Sequence, residues 1–178
     1  MRDSWRFNVA AYKLDRLIGL KMVVVTVARN FQSKPAGFSW WVDDVMGEDI
    51  DRIKQGWIPP DQKVFDEVRA VVQVFDELII NIDRNLSNLL ITKSWDLALI
   101  DHSRSFIPYK GIRNTENLKR CSRALLKEMR AMKLAAVQNA VGTYLTSGEV
   151  SALMSRRDRI VEFFDAKIKA DGEENVLF

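Results

Sequence analysis

Two carboxylates and one amide stand between apolar runs near the middle of the chain. Asp83 is followed five residues later by Asn88, and Asp101 comes thirteen residues after that. Carboxylate and amide oxygens are ligands that suit Mg²⁺, and a carboxylate a short loop away can accept a proton from an alcohol. This spacing is typical of phosphoryl transfer, in which one Asp acts as the base while an Asn and a second Asp hold the metal ions.

The same stretch also has a simpler interpretation. The segment "NIDRNLSN" has the composition of an Asx-rich turn, and an Asp followed five residues later by an Asn is common by chance. Three features together favour a site. A long apolar helix leads into the segment, Asn88 opens a strand, and Asp101 ends the next strand beside the only histidine, His102.

The elements that position these residues can be predicted from the pattern of apolar side chains. Ser4 is a helix N-cap, and Gly19 ends the apolar spacing that follows it. The β-branched run "MVVVTVARNF" predicts a buried strand, and "QSKPAG" predicts a turn. The run "FSWWVDDVMG" predicts a second strand that continues into a loop, so the two strands form a hairpin.

The second half of the chain is mainly helical. Asp61 caps a helix whose wide apolar stripe, from Val64 to Ile79, predicts a central position. "LLIT" and "LALID" predict a short hairpin that acts as a rigid spacer between the two expected metal ligands. The signal is helical from Asn114 onward, and a capping box opens a long helix that Gly172 ends. The order of elements predicts an α+β fold.

Composition excludes several classes of protein. The chain has 178 residues, the size of one domain, and its net charge of +3 is too small and scattered to indicate nucleic acid binding. We interpret the basic residues of the last third as solvated helix faces, the alternative being a patch for an acidic partner. The single cysteine, Cys121, predicts no disulfide framework. With no apolar run of membrane-spanning length and no signal peptide, we expect a cytoplasmic protein.

The two segments that contain Asp83, Asn88 and Asp101 also resemble a known group of proteins. "DRNLSNLLI" and "LALIDHSRSF" are similar to the paired catalytic motifs of the protein kinase-like superfamily. The similarity is greatest to the branch with phosphatidylinositol 3-/4-kinase catalytic domains and Golgi casein kinases, and within it to bacterial phosphatidylinositol 3-/4-kinase-like proteins. The stretches "AAYKLDRLIGL", "SWWVDD" and "RRDRIVEFFD" match as well.

The resemblance implies a fold and a cofactor. We expect a protein kinase-like α+β fold with an incomplete small lobe over residues 1–46, made of an αC-like helix, a hairpin and a hinge. We expect a helical large lobe over residues 47–178, with a catalytic loop at 81–106. The implied cofactors are ATP and Mg²⁺ or Mn²⁺, and the implied partners are a nucleotide and an unidentified hydroxyl-bearing protein, lipid or small molecule.

The resemblance also implies roles for individual residues. Asp83 corresponds to the catalytic base, and Arg84 follows it as in the related D-R-H motif. Asn88 and Asp101 correspond to ligands of the metal and, through it, of the nucleotide. The hinge would meet adenine through the backbone of two residues, Trp41 and Val42.

The sequence departs from the motifs at several positions. Asn85 stands where the D-R-H motif has His, and His102 and Ser103 replace the Phe and Gly of D-F-G. His102 is therefore interpreted as a structural residue rather than a proton carrier. Asn8 stands where the family has the Glu that pairs with a strand lysine.

No glycine-rich loop or strand lysine precedes the first predicted helix, and Lys13 and Lys21 are wrongly placed for that lysine. The chain is then either a piece of a longer active protein or a naturally shortened one. Three functions stay open at this point. The first is an ATP-dependent phosphotransferase, the second is a catalytically silent pseudokinase-like module that binds a nucleotide or a protein, and the third is transfer of the nucleotide rather than the phosphate.

Overall fold

The computed structural model describes residues 3–178 of the chain. Met1 and Arg2, the start of the expected 1–46 unit, lie outside these residues. The prediction of an α+β fold is confirmed. The helices are α1 (Trp5–Leu17), α2 (Asp49–Gln55), α3 (Gln62–Ile79), α4 (Arg123–Ala131), α5 (Leu134–Val141), α6 (Ser147–Asp171) and α7 (Glu173–Val176), and the strands are β1 (Thr26–Phe31), β2 (Lys34–Ser39), β3 (Val45–Glu48), β4 (Leu89–Thr92) and β5 (Leu97–Leu99).

Helix α1 and the β1–β2 hairpin form the first part of the fold. The Ser4 hydroxyl accepts a hydrogen bond from the backbone N–H of Arg6, which confirms the predicted N-cap. The hairpin turn consists of Gln32 and Ser33, both with positive φ, which suits the right-handed twist of the strands. The turn is therefore shorter than "QSKPAG", because Lys34 already pairs with Phe31.

Two strand predictions in this region were wrong. Strand β1 is not buried, since only its first residue, Thr26, is shielded from solvent. Strand β2 does not run through "SWWVDD" but ends at Ser39, and residues 40–44 form a loop. Beyond that loop, β3 pairs with β4 instead of extending the hairpin, so the chain crosses from one sheet to the other at this point.

The three-stranded antiparallel sheet has the order β3–β4–β5. The predicted "LLIT"/"LALID" hairpin is confirmed, with Leu89 opposite Leu99. The backbone at Val23 runs along the free side of β5, where it forms a parallel bridge to Leu99. The buried carboxylate of Asp15 fixes this approach by accepting hydrogen bonds from the N–H groups of Met22 and Val23, although burial raises the pKa of Asp15.

Helix α3 passes through the core, as its apolar stripe predicted. The side chain of Asp61 caps its first turn by accepting from the N–H of Val64 at 3.1 Å, while Val64 itself is exposed because it faces away from the core. Phe75, Leu78 and Ile79 have no exposed surface. The helix thus delivers a rigid, buried C-terminal turn to the polar segment that follows.

The C-terminal helices enclose the other side of α3. The helical signal placed at Asn114 was too early, since α4 begins at Arg123 after an irregular segment. The predicted capping box opens α6: the side chains of Thr146 and Glu149 each accept a hydrogen bond from the other's backbone N–H. No helix within residues 3–178 is long and apolar enough to span a membrane.

One arginine of α6 is completely buried. The Arg156 guanidinium donates to the carbonyl oxygens of Leu78 at 2.9 Å and Ile107 at 3.0 Å, and it also donates to that of Tyr109. Burial lowers its pKa to about 10, so it stays charged at neutral pH. Arg156 therefore ties α6 to the end of α3 and to the segment beyond β5.

Several basic residues of the last third are ion-paired at the surface, which agrees with the interpretation of solvated helix faces. Their partners are carboxylates of neighbouring helices or of the same helix, and the five pairs within residues 3–178 are Arg120–Glu67, Arg123–Glu173, Arg130–Asp165, Arg157–Asp158 and Lys167–Asp171. For Arg156 the interpretation was wrong, because that residue is fully buried. Where the charges are paired, the face offers a weaker field to an acidic partner.

Candidate functional site

The loop after α3 is shaped by asparagine turns, as its composition indicated. Helix α3 ends at Ile79, and the C-cap residue Ile80 has a positive φ. The side-chain oxygen of Asn81 accepts from the N–H of Asp83 at 3.1 Å, and that of Asn85 accepts from the N–H of Ser87 at 3.1 Å. These are Asx turns, so two of the three asparagines of the loop have a local structural role.

Asn88, the third, holds the strands and the loop together. Its side-chain Nδ2 donates to the carbonyl oxygen of Asp83 at 3.1 Å. Its own carbonyl oxygen accepts from the N–H of Ile100 at 3.2 Å, immediately before Asp101. The side-chain oxygen of Asn88 accepts no hydrogen bond from any residue in the range 3–178, and the contact at Nδ2 fixes its direction. These contacts link Asn88 to the backbone of Asp83 and to Ile100, the residue before Asp101.

Asp101 has a left-handed backbone conformation, with φ of 48°. Only a few per cent of residues other than glycine adopt it, and Asp is among those that tolerate it best. One carboxylate oxygen accepts from the N–H of Ser103 at 3.2 Å, which stabilises the turn. The side chain is exposed, so its second oxygen is available to a ligand.

Arg84 is the hub of the site. Its Nε and Nη2 bind the two oxygens of Asp76 at 2.8 and 3.1 Å. Its Nη1 donates to the carbonyl oxygens of Asn88 at 2.6 Å and Ile100 at 3.0 Å, and its Nη2 also contacts Nε2 of His102 at 2.8 Å. A guanidinium has five N–H donors, and these contacts use all of them. Arg84 positions the backbone on both sides of the site and has no donor left for a substrate.

His102 is buried beneath the site. Because a guanidinium only donates, Nε2 of His102 accepts from Arg84, and its ring proton is therefore on Nδ1. Burial, followed by the charge of Arg84, lowers the pKa of His102 well below its usual 6.5, which favours this neutral form. Its backbone N–H donates to the side-chain oxygen of Asn8 on α1. These contacts agree with the structural role interpreted from the sequence.

Sequence reasoning missed Asp76, the counter-ion of Arg84. Asp76 lies in the last turn of α3, is mostly buried, and also accepts from Nδ2 of Asn81 at 3.1 Å. The available signal was a pair of acids, Asp76 and Glu77, within the apolar C-terminal turn of a central helix. Charged residues are rarely buried unless they are paired, so an arginine partner could have been sought in the loop that follows.

Arg104 is the second cation at the site and was also missed. Its Nη1 lies 3.4 Å from a carboxylate oxygen of Asp83, and its Nε donates to the side chain of Asp3 at 2.7 Å. Unlike Arg84, its side chain is largely in solvent, with 46% of its surface exposed. The site therefore has one buried arginine that holds the backbone and one exposed arginine beside a carboxylate.

The site residues suit a hard divalent cation. Residues 3–178 contain no group of three or more His, Cys, Asp or Glu side chains arranged to hold a metal. The expected ligands are instead the exposed carboxylate of Asp101 and the directed amide oxygen of Asn88, with the Asp83 carboxylate nearby as the expected base. Mg²⁺ is commonly held by one or two carboxylates and completes its shell with water and substrate phosphates, so this oxygen-only set fits it.

The structure does not bring the expected hinge residues into contact with these three side chains. Trp41 and Val42 lie in the loop between β2 and β3, and the side chain of Trp41 is 80% exposed. Both line a cavity of about 790 Å³ that also involves the segment after α1 and the β4–β5 turn. The lining of this cavity does not include Asp83, Asn88 or Asp101.

Comparison with solved structures identifies the fold. The chain superposes on a hydra Fam20 structure solved with sugar, with a TM-score of 0.73 and 14% identity over 99% of this chain and 74% of that one. It also superposes on a Golgi casein kinase, with a TM-score of 0.68 and 11% identity over 99% of this chain and 64% of that one. The chain therefore has a protein kinase-like fold, as the resemblance of its motifs implied.

The chain spans less than two thirds of the Golgi casein kinase and about three quarters of the hydra protein. No protein-family model matches the sequence, and no curated protein matches it. At these identities the similarity is one of fold. The chemistry must be argued from the residues of the site.

Proposed function

We propose that the chain is a kinase-like phosphotransferase that moves a phosphoryl group from ATP to a hydroxyl acceptor. In this proposal Asp83 is the base, and Asn88 and Asp101 hold Mg²⁺ or Mn²⁺ and, through it, the nucleotide. Arg84 positions the backbone that presents these groups. The acceptor is a hydroxyl of a protein, a lipid or a small molecule.

One observation carries the proposal. The backbone of Asn88 is bonded to Ile100, its side chain is bonded to Asp83, and Arg84 binds the carbonyl oxygens of both Asn88 and Ile100. These contacts support a common site for a base and two oxygen ligands. Positioning of this kind is the main requirement of phosphoryl transfer, in which the protein does little covalent chemistry itself.

Each side chain has a separate task in the proposed reaction. Asp83 accepts the proton of the acceptor hydroxyl, and its half-exposed carboxylate leaves room for a substrate. The amide oxygen of Asn88 and the open oxygen of Asp101 bind the metal ion, which would neutralise charge on the phosphates when bound. Asn8 and His102 hold the Asp101 turn against α1 and α3.

The finer assignments belong to the same proposal. We assign residues 1–46 to an incomplete small lobe and 47–178 to a large lobe whose catalytic loop is 81–106. The backbone of Trp41 and Val42 is assigned to the adenine contact, supported by their position in the connection that follows the hairpin. The similarity of "DRNLSNLLI" to bacterial phosphatidylinositol 3-/4-kinase-like proteins supports that branch, and the intracellular supply of ATP suits a cytoplasmic location.

A second candidate is a catalytically silent module that binds a nucleotide or a protein. The observation that favours it concerns lysine. Within residues 3–178, one lysine forms an ion pair with a carboxylate, and this is the exposed pair Lys167–Asp171 on α6. No lysine of these residues is ion-paired with Asp83 or Asp101. A kinase-type site uses a lysine to hold the nucleotide phosphates. Within residues 3–178, contacts to these phosphates would then have to come from a residue of another type.

The test of the proposal is metal-dependent nucleotide binding followed by turnover. Thermal unfolding is measured with and without millimolar Mg·ATP, because a ligand at one hundred times its dissociation constant stabilises the folded state by about 2.7 kcal/mol. Incubation with ATP and a library of hydroxyl acceptors, analysed by mass, then separates a phosphorylated product from a nucleotidylated one. Binding without any product favours a silent module that binds a nucleotide. No binding of Mg·ATP or Mn·ATP contradicts the phosphotransferase and favours a silent module that binds a protein.

A further inference from the structure

The exposed cation beside the proposed base has unused donors. Of the nitrogens of Arg104, Nε is bonded to Asp3 and Nη1 lies 3.4 Å from Asp83. Its Nη2 donates no hydrogen bond to any of residues 3–178. The carboxylates around it raise the pKa of Arg104, with the hydrogen-bonded Asp3 first and with Asp101 contributing as well. The guanidinium is thus permanently charged, within electrostatic range of both Asp83 and Asp101, and open to solvent.

The position of Arg104 beside Asp83 has a consequence for chemistry. If Asp83 faces the acceptor hydroxyl and Asp101 faces the metal-bound nucleotide, the transferred phosphoryl group must pass between them. Because Nη1 of Arg104 lies 3.4 Å from Asp83, we expect its donors to reach that group as it approaches Asp83. Guanidinium groups match the oxygens of a phosphoryl group and commonly bind them with two N–H donors.

Arg84 cannot do this work, because its five donors are bonded within the protein. No lysine among residues 3–178 forms an ion pair with Asp83 or Asp101. Among the cations of residues 3–178, Arg104 is therefore the one that combines contact with the proposed base and spare donors.

We propose that Arg104 binds the transferred γ-phosphoryl group and supplies the positive charge that a strand lysine does not supply in this part of the chain. The inference rests on the proposed function. In the transfer, the acceptor oxygen forms a bond to phosphorus, the bond from phosphorus to the leaving oxygen of ADP breaks, and the acceptor proton passes to Asp83. Arg104 contacts the phosphoryl oxygens throughout and exchanges no proton.

Without a bound nucleotide, the carboxylate of Asp3 is the hydrogen-bonded partner of Arg104. This carboxylate is exposed, and such exposed pairs are worth little free energy. The neighbouring N–H of Ser4 donates to the carbonyl oxygen of Ser103 at 3.0 Å, which holds the segment before α1 against the turn that carries Arg104. A phosphoryl group can therefore displace Asp3 from the guanidinium at small cost, without any change to this backbone contact.

The experiment uses the full chain and compares three ligands, Mn²⁺ alone, Mn·ADP and Mn·ATP, by calorimetry or electron paramagnetic resonance. Arg104→Gln removes the positive charge. Arg104→Lys keeps the charge but loses the planar guanidinium that can bind a phosphoryl group with two N–H donors. The matched control is Arg130→Gln, because Arg130 is equally exposed, at 46%, and is paired with Asp165 far from the site. Thermal unfolding of each variant checks that it folds.

The inference predicts that Arg104→Gln changes the affinity for Mn²⁺ and the affinity for Mn·ATP in opposite directions. Arg104→Gln should bind Mn²⁺ as well as or better than the wild type, because one positive charge beside the carboxylates is gone. It should bind Mn·ATP about tenfold more weakly and Mn·ADP within about twofold, because only ATP carries the γ-phosphoryl group. The affinity of Arg104→Lys for Mn·ATP should lie between those of the wild type and Arg104→Gln. Arg130→Gln should bind all three ligands as the wild type does.

Other outcomes would overturn the inference. Unchanged or tighter binding of Mn·ATP by Arg104→Gln would make Arg104 only a counter-ion of Asp3 and Asp83. Equal loss of Mn·ADP and Mn·ATP would remove the assignment to the γ-phosphoryl group. Loss of Mn²⁺ binding itself would mean that Arg104 builds the metal site. If the wild type binds neither Mn²⁺ nor Mn·ATP, the proposed function fails and this inference fails with it.

Discussion

The side-chain oxygen of Asn8 accepts a hydrogen bond at 2.5 Å from the backbone N–H of His102. Asn8 lies in the first turns of α1 and His102 directly follows Asp101, so this contact joins elements that are 94 residues apart in the sequence. The motif resemblance expects Glu at position 8 for a lysine partner. Asn instead makes a neutral contact to the turn that presents the proposed metal ligand.

We expect Asn8→Ala to destabilise the protein by about 1–3 kcal/mol, because the N–H of the buried His102 would lose its acceptor. Asn8→Asp retains an acceptor and should cost less. Urea denaturation measures both free energies of unfolding, and Asn30→Ala on the exposed strand β1 is the control. Equal stability of Asn8→Ala and the control would show that the contact is not maintained in solution.

Asp101→Ala should abolish metal-dependent nucleotide binding while the chain remains folded. The side chain is exposed and its bond to the N–H of Ser103 is local, so the expected change in stability is within about 1 kcal/mol. Binding is measured with Mn·ATP, and Asp158→Ala on α6 is the matched exposed aspartate. Binding that survives in Asp101→Ala would remove Asp101 from the metal site.

Asp83→Asn should stop turnover and leave nucleotide affinity nearly unchanged. The amide keeps the shape of the side chain but cannot accept the acceptor proton as a base. A loss of about 10²–10⁴ in kcat is expected for removal of a general base. Single-turnover assays measure it beside equilibrium binding of Mn·ATP, and a variant with full turnover would refute the role of Asp83.

Arg84 and Asp76 should be strongly coupled. Removing one partner leaves a mostly buried charge unpaired, so we expect Arg84→Gln and Asp76→Asn each to cost about 3–5 kcal/mol. The double variant should cost much less than the sum of the two. The same cycle on the exposed pair Arg123–Glu173 should give only about 0–1 kcal/mol of coupling. Additive losses at positions 84 and 76 would contradict the proposed hub.

Cys121 gives a prediction for alkaline pH. Burial raises the pKa of its thiol to about 12 in the folded chain from an ordinary value of 9.0. The folded state then holds the proton over a pH range in which the unfolded state releases it, so stability is complete below about pH 9 and falls as the pH rises towards 12. Relative to Cys121→Ala, the free energy of unfolding should fall by up to about 1.4 kcal/mol per pH unit in that window.

Denaturation curves at pH 8, 9 and 10 for the wild type and Cys121→Ala provide the measurement. The free energies of unfolding of the two proteins should change in parallel with pH below pH 9 and diverge above it. Parallel slopes up to pH 10 would show that the thiol is accessible to solvent. Slow reaction with a thiol reagent at pH 8, accelerated by urea, is the independent check.

Local signals were sufficient for much of the fold. The caps at Ser4, Asp61 and Thr146 were predictable because a short polar side chain there satisfies free N–H groups within the next three residues. The β4–β5 hairpin was predictable because two apolar runs flank a tight turn. The polar cluster was predicted to be a site from residue types and spacing, and this stays a prediction.

The errors concern long-range pairing. The run "FSWWVDDVMG" has the composition of one strand, but its second half pairs with β4, more than forty residues later. The run "MVVVTVARNF" is rich in β-branched residues and was expected to be a buried strand, yet within β1 only Thr26 is buried. Asp76 and Arg104 were missed because their partners, Arg84 and Asp83, become neighbours only after folding.

The buried Arg156 has a consequence for how the molecule opens. Because its guanidinium is bonded to carbonyl oxygens at the end of α3 and at residues 107 and 109, none of these three segments can separate without stranding a charge in the interior. They should therefore exchange their amide hydrogens as one cooperative unit. A ligand bound at Asp101 would then slow hydrogen exchange in the middle of α6, far from the surface that the ligand touches.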